Sequence, residues 1–496
     1  MSQTRTHLTL APQFFLAAVL LVIGSASFAA EIEFTDCEIS NTSGQMTMQA
    51  ECAELLVPEN YAEPNGKQIK LSVAKIKSLS NRPEQDPFTM IAGGPGQAAI
   101  ESFIGVRGAF RKIRQYRDIY LIDQRGTGQS NQMQCKPADE DYADPFEYDP
   151  ETVAQFTKDC LNDIPGDPRY YTTSVAVKDL DAVRAALGVP QWNVYGVSYG
   201  TRVAQHYLRR YPDSIRTMIL DAVAPPQVNL GPDIATESQR AIEQMASRCA
   251  ENEQCNALYP DLSARTQALI EELRQQPKQI RFENFSTGEI EEIEFGPMHV
   301  AMTMRLMAYS AYGVAILPSM LHNAYEKNNF GPLARQSVIV SEELGNSMSL
   351  GMHNSVICSE DLPYIDVDKV DREALENTYL GIDAWDSLLT ICKLWPSGVV
   401  DEDFKQIVQS DRPVLVLSGS IDPITPPAYA DMIMPGLNNG LHIVLPEQGH
   451  MQAGVGCMPT VMAKFIEEAT VNELDQSCLQ RQTPEPFFVN ANGPSP

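Results

Sequence analysis

The chain has 496 residues, 43% of them hydrophobic, which is ample for a sizeable core and too long for one ordinary domain without an insertion. Sixty-four acidic against 37 basic residues give a formal charge of −27, a field that repels phosphate backbones and argues against nucleic acid as a partner. That charge reads as a solvated acidic surface, with attraction of cationic substrates as the functional alternative.

Residues 1–29 have the layout of a secretory signal peptide: Arg5, an apolar core over 14–23, then Ser27-Phe28-Ala29 with small residues at −3 and −1. The apolar run is too short to span a bilayer comfortably, although an uncleaved anchor is the alternative reading. No later stretch reads as a transmembrane helix, so the mature protein is expected to be exported, periplasmic or secreted, without stable membrane insertion. The ten cysteines are even in number, and their spacing suggests sequential pairing: 37–52, 135–160, 249–255, 358–392 and 457–478. C-x-x-C and H-E-x-x-H motifs are absent, so neither a metal nor another cofactor is expected.

Two extended patterns, 46–58 and 68–76, flank the turn dipeptide Asn65-Gly66 and predict an antiparallel start to a sheet. A strand over 87–91 ends in Ala92-Gly93-Gly94-Pro95-Gly96-Gln97, which opens a helical stretch reaching about residue 117. The strand over 118–122 runs into Asp123-Gln124-Arg125-Gly126-Thr127-Gly128, whose Asp and Arg can brace the loop. Residues 135–172, polar and rich in Pro and Asp, read as a loop excursion, and 173–187 as a helix stopped by Gly188-Val189-Pro190. Further strands are expected at 192–195, 217–221, 413–417 and 442–445, with a closing helix over 461–469. Between them, residues 227–410 are mostly helical, with a hairpin over 280–295 and a Met-rich helix over 300–307 that reads as core packing.

Gly196-Val197-Ser198-Tyr199-Gly200 stands between an apolar strand and a helical pattern, where G-x-S-x-G means a sharp turn that exposes its serine. An acyl-transfer serine needs a base, and the base an orienting carboxylate. Asp422 and His450 each follow a strand, in the order serine, acid, histidine. His206, His299, His322, His353 and His442 lack that combination of order and setting. The reading is therefore a triad of Ser198, Asp422 and His450, with the backbone N–H groups of Gly94 and Tyr199 as the oxyanion hole.

Taken together, Gly93-Gly94-Pro95-Gly96, Asp123-Gln124-Arg125-Gly126-Thr127-Gly128, Gly196-Val197-Ser198-Tyr199-Gly200-Thr201, Asp422-Pro423-Ile424-Thr425-Pro426 and Gly449-His450 resemble the prolyl and tripeptidyl aminopeptidase group of serine peptidases. Ala92 departs from the small prolyl enzymes, which carry His before Gly-Gly-Pro-Gly. The resemblance implies an α/β-hydrolase fold: a mostly parallel central sheet flanked by helices, with a large, mainly helical inserted cap. It implies this division: signal peptide 1–29, core 30–226, cap 227–410, core 411–480 and an irregular tail 481–496. It also implies peptide substrates with a free amino terminus, whose ammonium would meet Glu360, or Asp361 as the alternative. Two other readings stand beside it: an esterase or amidase using the same triad, and a catalytically inactive hydrolase acting as a binding protein.

Overall fold

The computed structural model describes residues 1–4, 32–135, 149–284, 288–490 and 492–494. The expected signal peptide over 1–29 falls almost wholly outside the described residues, as does 136–148.

Among the described residues, nine strands form one sheet: β1 (Thr35–Ser40), β2 (Thr47–Pro58), β3 (Gln68–Ile76), β4 (Phe88–Ile91), β5 (Ile119–Ile122), β6 (Trp192–Val197), β7 (Ile215–Asp221), β10 (Val414–Gly419) and β11 (Gly440–Leu445). β8 (Lys278–Glu283) and β9 (Ile290–Phe295) pair separately as an antiparallel hairpin. The spatial order is β1-β2-β3-β5-β4-β6-β7-β10-β11, antiparallel from β1 to β5 and parallel from β5 onward.

Burial follows topology. β4, β6 and β10 are buried at every position, as strands covered on both faces must be, whereas β2 alternates at its carboxyl half. Val414 and Val416 of β10 point to one face, where they join the helices Thr173–Ala186 and Tyr199–Arg210; Leu415 and Leu417 point to the other, with Ala99–Val106 and Met458–Glu468. This is a doubly covered sheet.

Much of the chain between β7 and β10 builds a helical block with its own core, in which Met245, Leu269, Phe295, Val300, Met304 and Leu317 are buried together, while Met352, Val356 and Trp395 of the same segment join the core of the sheet. The Met-rich segment is thus core, within the helix Pro297–Met307. The tail has no helix or strand past Arg481 among the described residues, yet it docks on this block. Phe487 is buried under the Arg248 guanidinium, 4.2 Å from the ring centroid, and Tyr259 OH donates to the Phe488 carbonyl at 2.8 Å.

One expectation needs correction. The 135–172 excursion contains the helix Pro150–Asp163; Asp149 caps it through the Thr152 N–H at 2.9 Å and Pro150 occupies the first turn, so the Asp-Pro pair starts a helix rather than a loop. The β2–β3 connection turns at Glu63–Gly66, with the Gly66 N–H donating to the Glu63 carbonyl at 2.8 Å, so Asn65-Gly66 lies in the turn between two antiparallel strands as expected. β1, which the sequence patterns did not reveal, is an added edge strand tied to β2 by Cys37–Cys52.

All five disulfides pair sequentially as expected, and none of the cysteines is free. Such a set belongs to a chain matured in an oxidising compartment. Among the described residues no helix is long and apolar enough to cross a membrane.

Candidate active site

Ser198 ends β6 and caps the helix Tyr199–Arg210 with φ 55° and ψ −126°, a left-handed conformation that costs a non-glycine residue energy. The two glycines make it possible. A Cβ on Gly196 would stand 2.5 Å from the Gly200 carbonyl oxygen, and one on Gly200 only 2.4 Å from the Ile91 oxygen. The Ser198 N–H donates to the Asp221 carbonyl at 3.0 Å, fastening the turn to the end of β7.

Asp422 and His450 meet as expected. His450 Nδ1 lies 2.8 Å from Asp422 Oδ2, with the carboxylate fully buried and the ring nearly so. Asp422 Oδ1 accepts from the N–H groups of Ile424 and Thr425, each at 2.9 Å, and Oδ2 accepts from Thr425 Oγ1 at 2.8 Å. Burial disfavours the Asp422 anion, but His450 and these donors outweigh it and hold its pKa below the usual carboxylate value. For His450, burial favours the neutral ring, yet the Asp422 charge and hydrogen bond, with a further contribution from Asp221, raise its pKa above the ordinary 6.5. The pair is therefore suited to orient the imidazole and to stabilise its cation.

The glycine-rich loop after β4 packs directly on the serine. A Cβ on Gly93 would meet Ser198 Cβ at 3.0 Å, so Gly93-Gly94 lies against the elbow. Tyr199 is the first residue of its helix, and its N–H has no partner within that helix. Gly94 carries φ +104°.

Glu360 and Asp361, at the end of the helix Leu350–Glu360, are both fully buried but differently employed. Asp361 receives both oxygens' bonds from Arg202 Nη1, at 3.0 and 2.9 Å, and another from the Leu230 N–H. Glu360 accepts from the Thr173 N–H at 2.6 Å and Thr173 Oγ1 at 2.9 Å, with Arg202 more distant at 3.9 Å. Burial pushes its pKa up to about 7 despite Arg202 and Thr173. Thr173 Oγ1 also lies 2.7 Å from Tyr199 OH, so Glu360 is linked to the residue following Ser198. Asp361 is thus engaged by an arginine, while Glu360 retains only hydrogen bonds at close range.

A match to the α/β-hydrolase fold covers residues 86–255, holding the glycine loop and the elbow. The chain has the α/β-hydrolase fold. A second match, to TAP-like proteins, covers residues 378–478 and takes in Asp422 and His450. Together they agree with the family resemblance of the motifs. The chain is 30% identical over 263 residues to serine protease Hip1 of Mycobacterium tuberculosis, covering 48% of the chain and 50% of that protein. It is 30% identical over 232 residues to tripeptidyl aminopeptidase of Streptomyces lividans, covering 42% and 43%. Putative hydrolase YuaR of Escherichia coli is 24% identical over 440 residues, covering 83% and 85%. The matches to the first two thus span about half the length of those relatives.

Three residues around the site were not singled out from sequence. Thr425 lies inside a motif that was noticed, and its hydroxyl bridges Asp422 and His450, 3.2 Å from Nδ1. Asp221 is buried at the end of β7, where its carboxylate accepts from Tyr195 OH and the N–H groups of Gln452 and Ala453, all at 2.8–2.9 Å. Arg202 looked like an ordinary helix residue. Asp221 and Arg202 depend on partners more than 150 positions away, which no local pattern reports.

Proposed function

We propose that this α/β-hydrolase is an exported serine exopeptidase that removes residues from the free amino terminus of peptides. Ser198 attacks the scissile carbonyl while His450 takes its proton, and the N–H groups of Gly94 and Tyr199 receive the oxyanion. His450 then gives that proton to the leaving amine, which departs and leaves an acyl group on Ser198. Water, deprotonated by His450, attacks the ester and frees the new carboxylate and Ser198. One oxyanion donor is typically worth about 3 kcal/mol in the transition state. The inserted block serves as a cap whose Glu360 meets the substrate ammonium.

The observation that carries the reading is the Thr173 hydroxyl shared between Glu360 and Tyr199, 2.9 and 2.7 Å away, which ties a buried carboxyl to the residue beside the nucleophile. An ammonium brought to such a carboxyl draws its raised pKa down and makes the ion pair. Relatives named as a serine protease and a tripeptidyl aminopeptidase support peptide substrates.

The test is hydrolysis of matched proline, alanine and tripeptide amide reporters, each with a free or acetylated amino terminus. Turnover of the free-amino forms alone is expected, and the best reporter names the number and kind of residues released. Equal turnover of blocked and free forms refutes the ammonium site and leaves an esterase or amidase.

A further inference from the structure

The helical block reaches the base through one short segment. The His450 N–H donates to the Tyr309 carbonyl at 2.8 Å, and the two rings meet edge-on with centroids 4.8 Å apart. A Cβ on Gly449 would stand 2.6 Å from the Tyr309 oxygen and 2.7 Å from that of Ala308, so the contact is close-packed. Arg305 stands in the last turn of the helix Pro297–Met307, four residues before Tyr309.

Arg305 lies close enough for its charge to act on Tyr309, His450 and His353. His353 in turn stands beside the Pro95 backbone of the glycine loop. Arg305 is thus one helical turn from the residue that packs on His450, on the side of the block that faces the base. Among the described residues no carboxylate pairs with it, whereas the fully buried Arg125 and Arg202 are matched by Asp179 and Asp361. Its Nε is buried without a hydrogen-bond partner. Asp422, the acid of this neighbourhood, spends its oxygens on His450, Thr425 and Ile424. A half-buried cation left unpaired in a chain of charge −27 calls for an anion from outside.

The direction of the chemistry says which part of the substrate brings it. His450 delivers the proton to the leaving amine, so the released portion lies on the His450 side of Ser198, and Glu360 lies on the Thr173 and Tyr199 side. We infer that Arg305 binds a carboxylate on the released portion of the substrate, either the α-carboxylate of a short leaving peptide or an acidic side chain in its first residue. The preferred substrates are then short peptides, or peptides with Asp or Glu after the cut. This inference rests on the exopeptidase reading and names its substrate class.

The experiment uses free-amino alanine peptides of two to five residues, each as the C-terminal acid and as the amide, and an amide series with Glu after the cut. A single charge-assisted bond predicts that the purified protein favours the acid over its amide by about ten- to a hundredfold in kcat/KM. Arg305→Gln brings that ratio to about one, and Arg305→Lys keeps part of it. An advantage confined to C-terminal acids assigns the α-carboxylate; one confined to the Glu amides assigns the side chain. A ratio near one in the unaltered protein, or an unchanged ratio in Arg305→Gln, overturns the inference. Should Arg305→Gln fail to fold, seen as loss of all labelling by a fluorophosphonate, Arg305→Lys carries the comparison. If no free-amino peptide is cleaved, the exopeptidase reading falls by itself. The carboxylate site is then read from protection of Ser198 against the fluorophosphonate: acid protecting better than amide upholds it, and equal protection overturns it.

Discussion

Replacing Arg125 by Met tests whether the Asp-Gln-Arg-Gly loop is a structural brace. The side chain is fully buried and all five of its N–H groups are used. Nε and Nη2 clasp the Asp179 carboxylate at 2.6 and 2.7 Å, Nη1 donates to the carbonyls of Glu59 and Tyr170 at 2.8 and 3.0 Å, and Nη2 reaches the Pro58 carbonyl at 3.1 Å. Met fills much of the volume but leaves Asp179 buried with Tyr61 OH as its remaining close side-chain donor, at 2.8 Å. Breaking such a pair from one side costs about 3–5 kcal/mol, because an uncompensated charge stays inside. Arg125→Lys keeps the charge with three donors, so at least two acceptors lose their bond, at about 1 kcal/mol each. Arg125→Met with Asp179→Leu should lie closer to the unaltered protein than Arg125→Met alone, since no charge is then stranded. Urea unfolding followed by tryptophan fluorescence, with disulfides intact, compares midpoints at unchanged slope. Additive losses in the double variant, or a loss below about 1 kcal/mol in Arg125→Met, would refute the brace.

Other predictions concern the site itself. The base must be neutral, and His450 is held above the ordinary imidazole pKa, so kcat/KM should fall as pH drops, beginning above 6.5; a flat acid limb removes His450 from the role. Asp221→Asn takes away a charge that helps raise His450 and an acceptor that holds Gln452 and Ala453, so the acid limb should move to lower pH while kcat drops. An unmoved pH profile would reduce Asp221 to packing. Gly200→Ala drives a Cβ to within 2.4 Å of the Ile91 oxygen, and should abolish fluorophosphonate labelling along with most soluble protein; Gly105→Ala, with open space around it, serves as the control that labels normally.

The parts legible in the sequence were those that local chemistry enforces. Gly196 and Gly200 must be glycine because neighbouring carbonyls occupy the space of a Cβ, and that need is visible as G-x-S-x-G. The parallel strands were legible because burial on both faces makes them continuous apolar runs, as in Val414-Leu415-Val416-Leu417. The helix Pro150–Asp163 was obscured because Asp-Pro serves both to open turns and to cap helices. β1 is exposed at half of its positions and depends on β2 and a disulfide for its place, so its pattern is weak. Arg202 with Asp361, Asp221 with Gln452, and the approach of Arg305 to His450 became visible only once distant segments were brought together.

The large insertion between β7 and β10 does not disturb the proposed chemistry, and the sheet explains why. Ser198, Asp221, Asp422 and His450 stand at or just past the carboxyl ends of β6, β7, β10 and β11, four neighbouring strands of one sheet. β7 and β10 remain in parallel register from Met218 opposite Val414 to Asp221 opposite Leu417, and the Ala222 N–H extends the ladder to the Leu417 carbonyl at 2.9 Å. A long segment leaving and rejoining such a pair adds loop-closure entropy that grows only with the logarithm of its length. The strand ends therefore fix where Ser198, Asp422 and His450 leave the sheet, and the block adds a contact of its own to His450 through the Tyr309 carbonyl. Glu360 and Arg305 both come from the block, so substitutions there can redistribute substrate charge preference without altering the strand geometry that presents the nucleophile.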